Sequence, residues 1–294
     1  MKPPPFEYFR PETLGEAIAI LDRTDNAKVL AGGQSLMAML NLRFVFPDAL
    51  VDINNLHDIA GIDIDAKRLR IGAMTRQRRI ELDDGVFEAM PILREALQLV
   101  GHRQTRNRGT IGGSLCHLDP ASELPTLALL MDAQIEAHGP HGVRRIPVHE
   151  FVAGFMTPGI AANEIVTAVE FPLWGPAHGH CFVEFSRRHG DFAVASAAVL
   201  VEREATGKVA AIAIAIGGLG STPQRHIAGE AALLASHGET EAIEAAVADF
   251  SALEVVGDFH GSADYRSSVA MAMLRKALTV ALERATERRG RLDA

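Results

Sequence analysis

Two paired-glycine segments decide how this sequence folds: Ala31-Gly32-Gly33-Gln34-Ser35 and Thr110-Ile111-Gly112-Gly113-Ser114. Adjacent glycines allow positive φ angles and leave backbone N–H groups uncovered. Either segment alone would be explained by a simple turn of the chain. Two matched segments that face each other would hold a diphosphate between them through backbone amides. The pair therefore predicts a cofactor that contains a diphosphate, with extra hydroxyl donors from Ser35, Thr110 and Ser114.

The sequence around the first glycine pair predicts a small α/β lobe over the first sixty residues. Thr13-Leu14-Gly15-Glu16 is a capping box that opens a helix over 11–22. Strands are predicted over 28–31 and 50–53, with a helix over 35–42 between them. The glycines are adjacent, so this is not the G-x-G-x-x-G fingerprint of dinucleotide-binding folds.

The rest of the chain predicts a larger mixed lobe and then a separate domain. Predicted helices cover 91–100, 123–131, 230–250 and 265–286, and predicted strands cover 134–137, 143–147, 164–171, 181–187, 193–202 and 209–217. The last three strands fit an antiparallel meander covered by helices. Gly, Pro and His accumulate near 174–179, which indicates a domain boundary. We expect an α+β protein with domains 1–175 (lobes about 1–58 and 59–175) and 176–294.

Composition excludes several classes of protein. The chain has 294 residues, 48% of them apolar, and a net charge of −8, which argues against a nucleic-acid surface. No apolar run reaches the roughly 18 residues of a membrane helix, and no signal-peptide core follows Met1. The two cysteines, Cys116 and Cys181, fit a reducing cytoplasm and are too few for an iron–sulfur cluster of its own.

Two further segments carry polar residues that invite a chemical role. The first, Cys116-His117-Leu118-Asp119-Pro120-Ala121-Ser122-Glu123, lacks a second ligand cluster for a metal. We expect it to shape the cofactor cleft, with Glu123 bonding a ligand hydroxyl. The second, 187–192, is either a solvated turn or the carrier of an aromatic face, Phe192, for a planar ring. No hydrolase, P-loop or zinc motif is present, so no catalytic or metal-binding residue is predicted.

Three ordered motifs resemble the FAD-binding medium subunit of molybdenum hydroxylases. They are Ala31-Gly32-Gly33-Gln34-Ser35-Leu36, Arg106-Asn107-Arg108-Gly109-Thr110-Ile111-Gly112-Gly113-Ser114 and Asp119-Pro120-Ala121-Ser122-Glu123-Leu124-Pro125. Relatives in this family include the flavoprotein of aerobic carbon monoxide dehydrogenase and the FAD domain of xanthine dehydrogenase. The resemblance implies a two-lobed FAD-binding domain of the vanillyl-alcohol-oxidase (PCMH) type. A C-terminal domain of antiparallel sheet plus helices, like that of the carbon monoxide dehydrogenase flavoprotein, would follow it.

The resemblance also implies which residues contact FAD. Val100 would lie near the flavin, Glu123 occupies an acidic FAD-contact position, and Phe192 stands where many relatives have a tyrosine beside the flavin. Because Phe192 lacks the phenol, no role of that hydroxyl carries over. The FAD diphosphate would be gripped from two sides by Val29, Leu30, Ala31, Gly32, Gly33, Gln34, Ser35 and Leu36 and by Thr110, Ile111, Gly112, Gly113 and Ser114.

Partners follow from the resemblance as well. A small subunit would carry [2Fe–2S] clusters and a large subunit the molybdenum–pterin cofactor, assembled as a dimer of heterotrimers, that is, a heterohexamer. Substrate would be oxidised on the large subunit, and electrons would pass through the clusters to this FAD and on to an external acceptor. Two alternatives stay open at this point: a stand-alone FAD-dependent oxidase with its own substrate pocket, and an interaction protein that no longer binds FAD.

Overall fold

The structure is a computed structural model that describes residues 2–259 and 261–292. Met1, His260, Asp293 and Ala294 lie outside the described residues. The predicted domain limits at residues 1 and 294 therefore also lie outside them. The mixture of helices and sheets confirms the predicted α+β class. In the described ranges, no helix is both long and apolar enough to cross a membrane.

The first lobe is a three-stranded parallel sheet with two helices. Its elements are β1 (Glu7–Phe9), α1 (Leu14–Arg23), β2 (Ala27–Leu30), α2 (Leu36–Leu42) and β3 (Ala49–Asp52), and the strand order is β1-β3-β2. Thr13 caps α1 as predicted, because its hydroxyl accepts the N–H of Glu16 at 3.2 Å. The Glu16 carboxylate accepts from the N–H of Glu12 instead of Thr13, so only half of the capping box forms as predicted.

The second lobe is built on a five-stranded antiparallel sheet with the order β4-β5-β10-β6-β7. After a short 3₁₀ turn (His57–Ile59), its elements in chain order are β4 (Ile62–Ile64), β5 (Arg68–Gly72), α3 (Gln77–Leu82), α4 (Asp84–Ala89), α5 (Pro91–Leu99), α6 (Arg103–Arg108), α7 (Ile111–His117), α8 (Glu123–Leu130), β6 (Gln134–Gly139), β7 (Gly142–Pro147), α9 (Val148–Phe151), β8 (Val152–Gly154), β9 (Thr157–Pro158) and β10 (Ile165–Pro172). The predicted hairpin is confirmed, since β6 and β7 pair from Gln134 opposite Pro147 to Gly139 opposite Gly142.

The last third contains the predicted antiparallel meander. Its elements are β11 (Gly179–Phe185), β12 (Ala195–Arg203), β13 (Val209–Gly217), β14 (Gln224–Arg225), α10 (Ile227–Leu233), α11 (Thr240–Ala248) and α12 (Ala263–Leu292). The prediction of one helical region over 230–250 is wrong, because the structure has two helices there, α10 and α11. The chain leaves the helix at Leu234, and Ala235 and Gly238 take left-handed φ angles of 63° and 70°, which begin a new direction before α11.

One hydrophobic core runs across the predicted domain boundary. Successive residues of a strand point to opposite faces of its sheet, and both faces of the meander are covered. On β12, Ala198 and Leu200 join the core of the second lobe, whereas Val199 and Val201 pack in the core that contains α12. Helices α5 and α8 therefore lie between the two large sheets. The cofactor cleft described below opens at the edge of this shared layer.

The start of β11 packs directly on α12, and we expect this contact to tolerate no side chain. A Cβ on Gly179 would overlap the carbonyl oxygen of Ala281 and lie 2.6 Å from the N atom of Ala285. Overpacking of this kind costs about 1–3 kcal/mol. Gly179→Ala should therefore lower the free energy of unfolding by about that amount, measured by urea titration followed by circular dichroism. Gly154→Ala is the control, because a Cβ there meets nothing within 4 Å; equal stability of the two variants would refute the contact.

Candidate functional site

The structure places the two glycine segments side by side, with the first segment against the backbone that leads into the second. A Cβ on Gly32 would lie 2.5 Å from the carbonyl oxygen of Arg108 and 2.8 Å from Cα of Gly109. A Cβ on Gly113 would lie 3.6 Å from Cβ of Ala31. The predicted proximity of the two segments is therefore confirmed. Glycine is required at Gly32 because the backbone of Arg108 and Gly109 occupies the place of a side chain.

The conformations of the two segments differ, and one prediction fails here. Gly33 takes the left-handed φ of +73°, but Gly112 and Gly113 lie in the first turn of helix α7 with ordinary helical φ. The prediction of a second loop with positive φ angles is therefore wrong. The second pair is glycine for steric reasons, since a Cβ on Gly112 would lie only 2.6 Å from Cβ of Ala73.

The backbone amides of the two segments are also used differently. In the described part of the chain, the N–H groups of residues 32–35 donate to no other residue. The N–H groups of Ile111 and Gly112 donate to Thr75 and Ala73, and that of Gly113 donates to the Thr110 hydroxyl at 3.0 Å. The expectation of free amides on both sides is thus wrong for the second segment. The first segment offers the unpaired donors that an anionic ligand needs.

A polar network that the sequence did not reveal locks the segments together. Asn54 donates from Nδ2 to the Ala31 carbonyl oxygen at 2.9 Å and accepts at Oδ1 from Arg76 at 2.6 Å. Arg76 also donates to the Arg108 carbonyl oxygen at 2.8 Å. Asp52 accepts from the Asn54 N–H at 3.0 Å and so fixes Asn54 in turn. These residues come from distant parts of the chain, and no local pattern marks them.

A cleft of about 680 Å³ lies between the second lobe and the meander. Its walls come from the segment after α7, from the 187–194 turn and from 218–221 and 256–259. Phe155 and Phe192 line it with side chains that are 61% and 68% exposed. Exposed aromatic rings on a concave surface suit a flat ligand that would cover them. Phe192 thus lies where an aromatic face would meet a planar ring.

Val100 reaches the same region through its neighbours. It follows α5, and its carbonyl oxygen accepts from Arg106 at 2.9 Å. Arg106 is buried and pairs with Glu81 at 2.8 Å. Burial would raise the pKa of Glu81, but hydrogen bonds from Arg106 and Arg78 hold that pKa below its usual value. This ion pair fixes the backbone turn after Val100.

The turn after Val100 in turn supports the segment that carries Phe192. A Cβ on Gly190 would lie 2.5 Å from the His102 ring, and the His102 and His189 rings stand 5.8 Å apart. Glu123 begins α8, directly after the cleft-lining residues 119–121. Of the predicted site residues only Phe192 lines the cleft; Val100, Glu123 and the two glycine segments do not.

Nucleophilic and metal chemistry find no support at the Cys116–Glu123 segment. Burial raises the pKa of the Cys116 thiol to about 12, so the thiol is neutral at physiological pH and a poor nucleophile. Burial also lowers the pKa of His117. Over 2–259 and 261–292, no three His, Cys, Asp or Glu side chains are placed to hold a metal ion.

Comparison with known proteins identifies the family of this chain. Residues 4–174 match the family described as the FAD binding domain in molybdopterin dehydrogenase. The chain belongs to this family. Residues 180–281 match the CO dehydrogenase flavoprotein C-terminal domain. The resemblance stated from the three motifs is confirmed, as are the fold of an FAD-binding domain followed by a C-terminal flavoprotein domain and the cofactor FAD.

Relatives share the whole length of the chain. The 6-hydroxypseudooxynicotine dehydrogenase complex subunit alpha of Paenarthrobacter nicotinovorans is 39% identical, over 100% of both chains. The carbon monoxide dehydrogenase medium chain of Hydrogenophaga pseudoflava is 35% identical, over 97% of this chain and 99% of the other. A carbon monoxide dehydrogenase structure from the same organism matches with a TM-score of 0.93, at 37% identity over 97% and 99% of the chains. This FAD-binding medium subunit is therefore an oxidoreductase component.

The contact between Gly32 and the Arg108 carbonyl gives a prediction for FAD affinity. In Gly32→Ala the methyl group forces the two segments apart and displaces the free amides of 32–35. We expect the dissociation constant of FAD to rise at least about tenfold, or ~1.4 kcal/mol. Quenching of flavin fluorescence on titration into the apoprotein measures it. Gly15→Ala in α1 is the matched control, because its Cβ meets nothing within 4 Å; an unchanged constant in Gly32→Ala would refute this view of the site.

Proposed function

We propose that this chain is the FAD-carrying electron-transfer subunit of a heterotrimeric molybdenum hydroxylase. Electrons would enter from [2Fe–2S] clusters of a partner subunit and leave to an external acceptor. One observation carries the proposal: within the described residues the amides of 32–35 are unpaired, beside the contact of Gly32 with Arg108 and Gly109, inside a domain of the FAD-binding family. No side chain of this subunit would act as a catalytic acid or base on the substrate.

The residues present fit FAD. Free backbone donors suit the diphosphate, and a cleft lined by exposed phenylalanines suits the ring system. The proposed contacts are Val29 to Leu36 and Thr110 to Ser114 for the diphosphate, with Val100, Glu123 and Phe192 nearer the flavin. When bound, FAD supplies redox chemistry that no amino-acid side chain provides. The work of this subunit would be to bind the cofactor, orient it and screen it from water.

The partner assignment is a proposal that rests on the relatives. Their names describe a subunit alpha of a dehydrogenase complex and a medium chain of carbon monoxide dehydrogenase. We infer a small iron–sulfur subunit and a large molybdopterin subunit, joined as a dimer of heterotrimers in the cytoplasm. The FAD-binding part would extend over 1–175 and the C-terminal part over 176–294. The substrate would be recognised by the large subunit.

Purification of the tagged chain from its native cells tests this proposal. We expect FAD at one equivalent per chain, together with two further chains that carry the iron and the molybdenum. Metal analysis and mass spectrometry of the complex measure this. The isolated, FAD-loaded subunit should stay yellow with substrates that bleach the flavin of the complex. Bleaching of the isolated subunit would indicate the alternative, a stand-alone oxidase, and a colourless chain that ignores added FAD would exclude both.

A further inference from the structure

A row of directly opposed residues, which includes a glutamate and a serine, crosses the meander next to the cleft. Glu184 on β11 stands opposite Ser196 on β12, which stands opposite Gly217 on β13. Directly opposed residues share one face of a sheet, and Phe182, two residues before Glu184, places that face against the core of α8. Thr126 of α8 meets the row, because a Cβ on Gly217 would lie 2.7 Å from its hydroxyl oxygen.

Two oxygen atoms in this row have no partner. Glu184 Oε2 and Ser196 Oγ are buried and make no hydrogen bond within the described residues. Ser196 is completely buried. An unsatisfied buried polar group costs free energy, so two on one row need an explanation. A neutral carboxyl group would remove part of that cost, because it avoids burying a charge.

The row lies next to residues that line the cleft. Ala193 and Val194, which lead into β12, line the cleft, and so does Pro120. The carbonyl oxygen of Pro120 accepts the N–H of Gly218 at 2.8 Å, next to the end of the row. Glu123 lies on the same side of α8 one turn before Thr126, because residues three apart on a helix are neighbours. Glu123 and Glu184 are close enough for the Glu184 carboxylate to act on Glu123.

Among the described residues, no cation is placed to compensate both carboxylates. Arg106 faces Glu123 but is bound to Glu81 at 2.8 Å, and Asp119 adds negative charge. Arg284, a cation that contacts β11, is already paired with Glu95 of α5 at 2.5 Å. Glu95 also lies 3.5 Å from His180.

The result is a pair that resists double ionisation. Burial raises the pKa of Glu184 to about 7. Burial and then the Glu184 and Asp119 carboxylates raise the pKa of Glu123 to about 8. Two carboxyl groups that interact in this way lose their protons in two steps that belong to the pair.

We propose that Glu184 is a positioning residue of the FAD site, which holds one proton in common with Glu123 and so couples FAD binding to pH. The inference rests on the proposed function through the FAD contact at Glu123. With one proton, the pair offers a hydroxyl donor as well as a carboxylate acceptor to the cofactor. Once both groups are ionised, the donor is lost and two negative charges face an anionic ligand. FAD affinity should therefore fall as the pH rises through the range in which the pair loses its proton.

FAD titrations of Glu184→Gln against pH test the coupling. Glutamine keeps the shape and a donor but cannot ionise, so Glu123 alone remains and its pKa falls. Between about pH 6.5 and pH 9 we expect the dissociation constant to rise at least about tenfold in the wild-type protein and less than about twofold in the variant. Glu241→Gln on exposed α11 removes the same charge and should keep the wild-type profile. Parallel profiles for the wild-type protein and Glu184→Gln would overturn the proposal.

Infrared spectroscopy of the apoprotein tests the shared proton without FAD. A protonated carboxyl band should be present at about pH 6.5 and disappear by about pH 9 in the wild-type protein. In Glu184→Gln the band of Glu123 should titrate at lower pH, because burial still raises the pKa of Glu123 but the Glu184 charge is gone. A wild-type spectrum with both groups ionised at about pH 6.5 would overturn the proposal. The titrating band without any FAD binding would support the proton pair and count against the proposed function instead. The two failures are thus distinguishable.

Discussion

The packing of Gly32 on the carbonyl group of Arg108 is the contact on which the site depends. It joins the parallel sheet of the first lobe to the helices of the second by backbone against backbone, where any other residue would insert a side chain. Two hydrogen bonds stabilise the same contact between the lobes: Asn54 donates to the carbonyl oxygen of Ala31, and Arg76 donates to that of Arg108. Beside this contact, the amides of 32–35 donate to no other described residue and stay free for a ligand.

Features written in local sequence could be predicted closely. Residues 209–217 form an apolar run between two turns, and its predicted bounds are those of β13, Val209–Gly217. The Thr13 cap was equally readable, because its partner lies three residues away. The matched glycine pairs pointed to each other across the sequence, and the structure places them in contact. In each case the information is either short-range or repeated.

Features that depend on distant packing could not be predicted. Gly112-Gly113 looks like a turn, yet α7 forms there because the Thr110 cap and the approach of Ala73 favour a helix over the local preference of glycine. The role of Asn54 and Arg76 is visible only in the folded protein, where their hydrogen bonds join residues that are distant in sequence. Glu184 lies on a strand whose second face would be solvent-exposed in an ordinary antiparallel sheet, so its burial follows only from α8 packing on that face.

The shared core has a consequence for how such subunits diverge. Ala198 and Leu200 of β12 and Phe182 of β11 fill the same core as the helices α5 and α8. Swapping one half of the chain for that of a distant relative would therefore pair two surfaces that have not been fitted to each other. A change of side-chain volume on one side of this layer would therefore need a matching change on the other side.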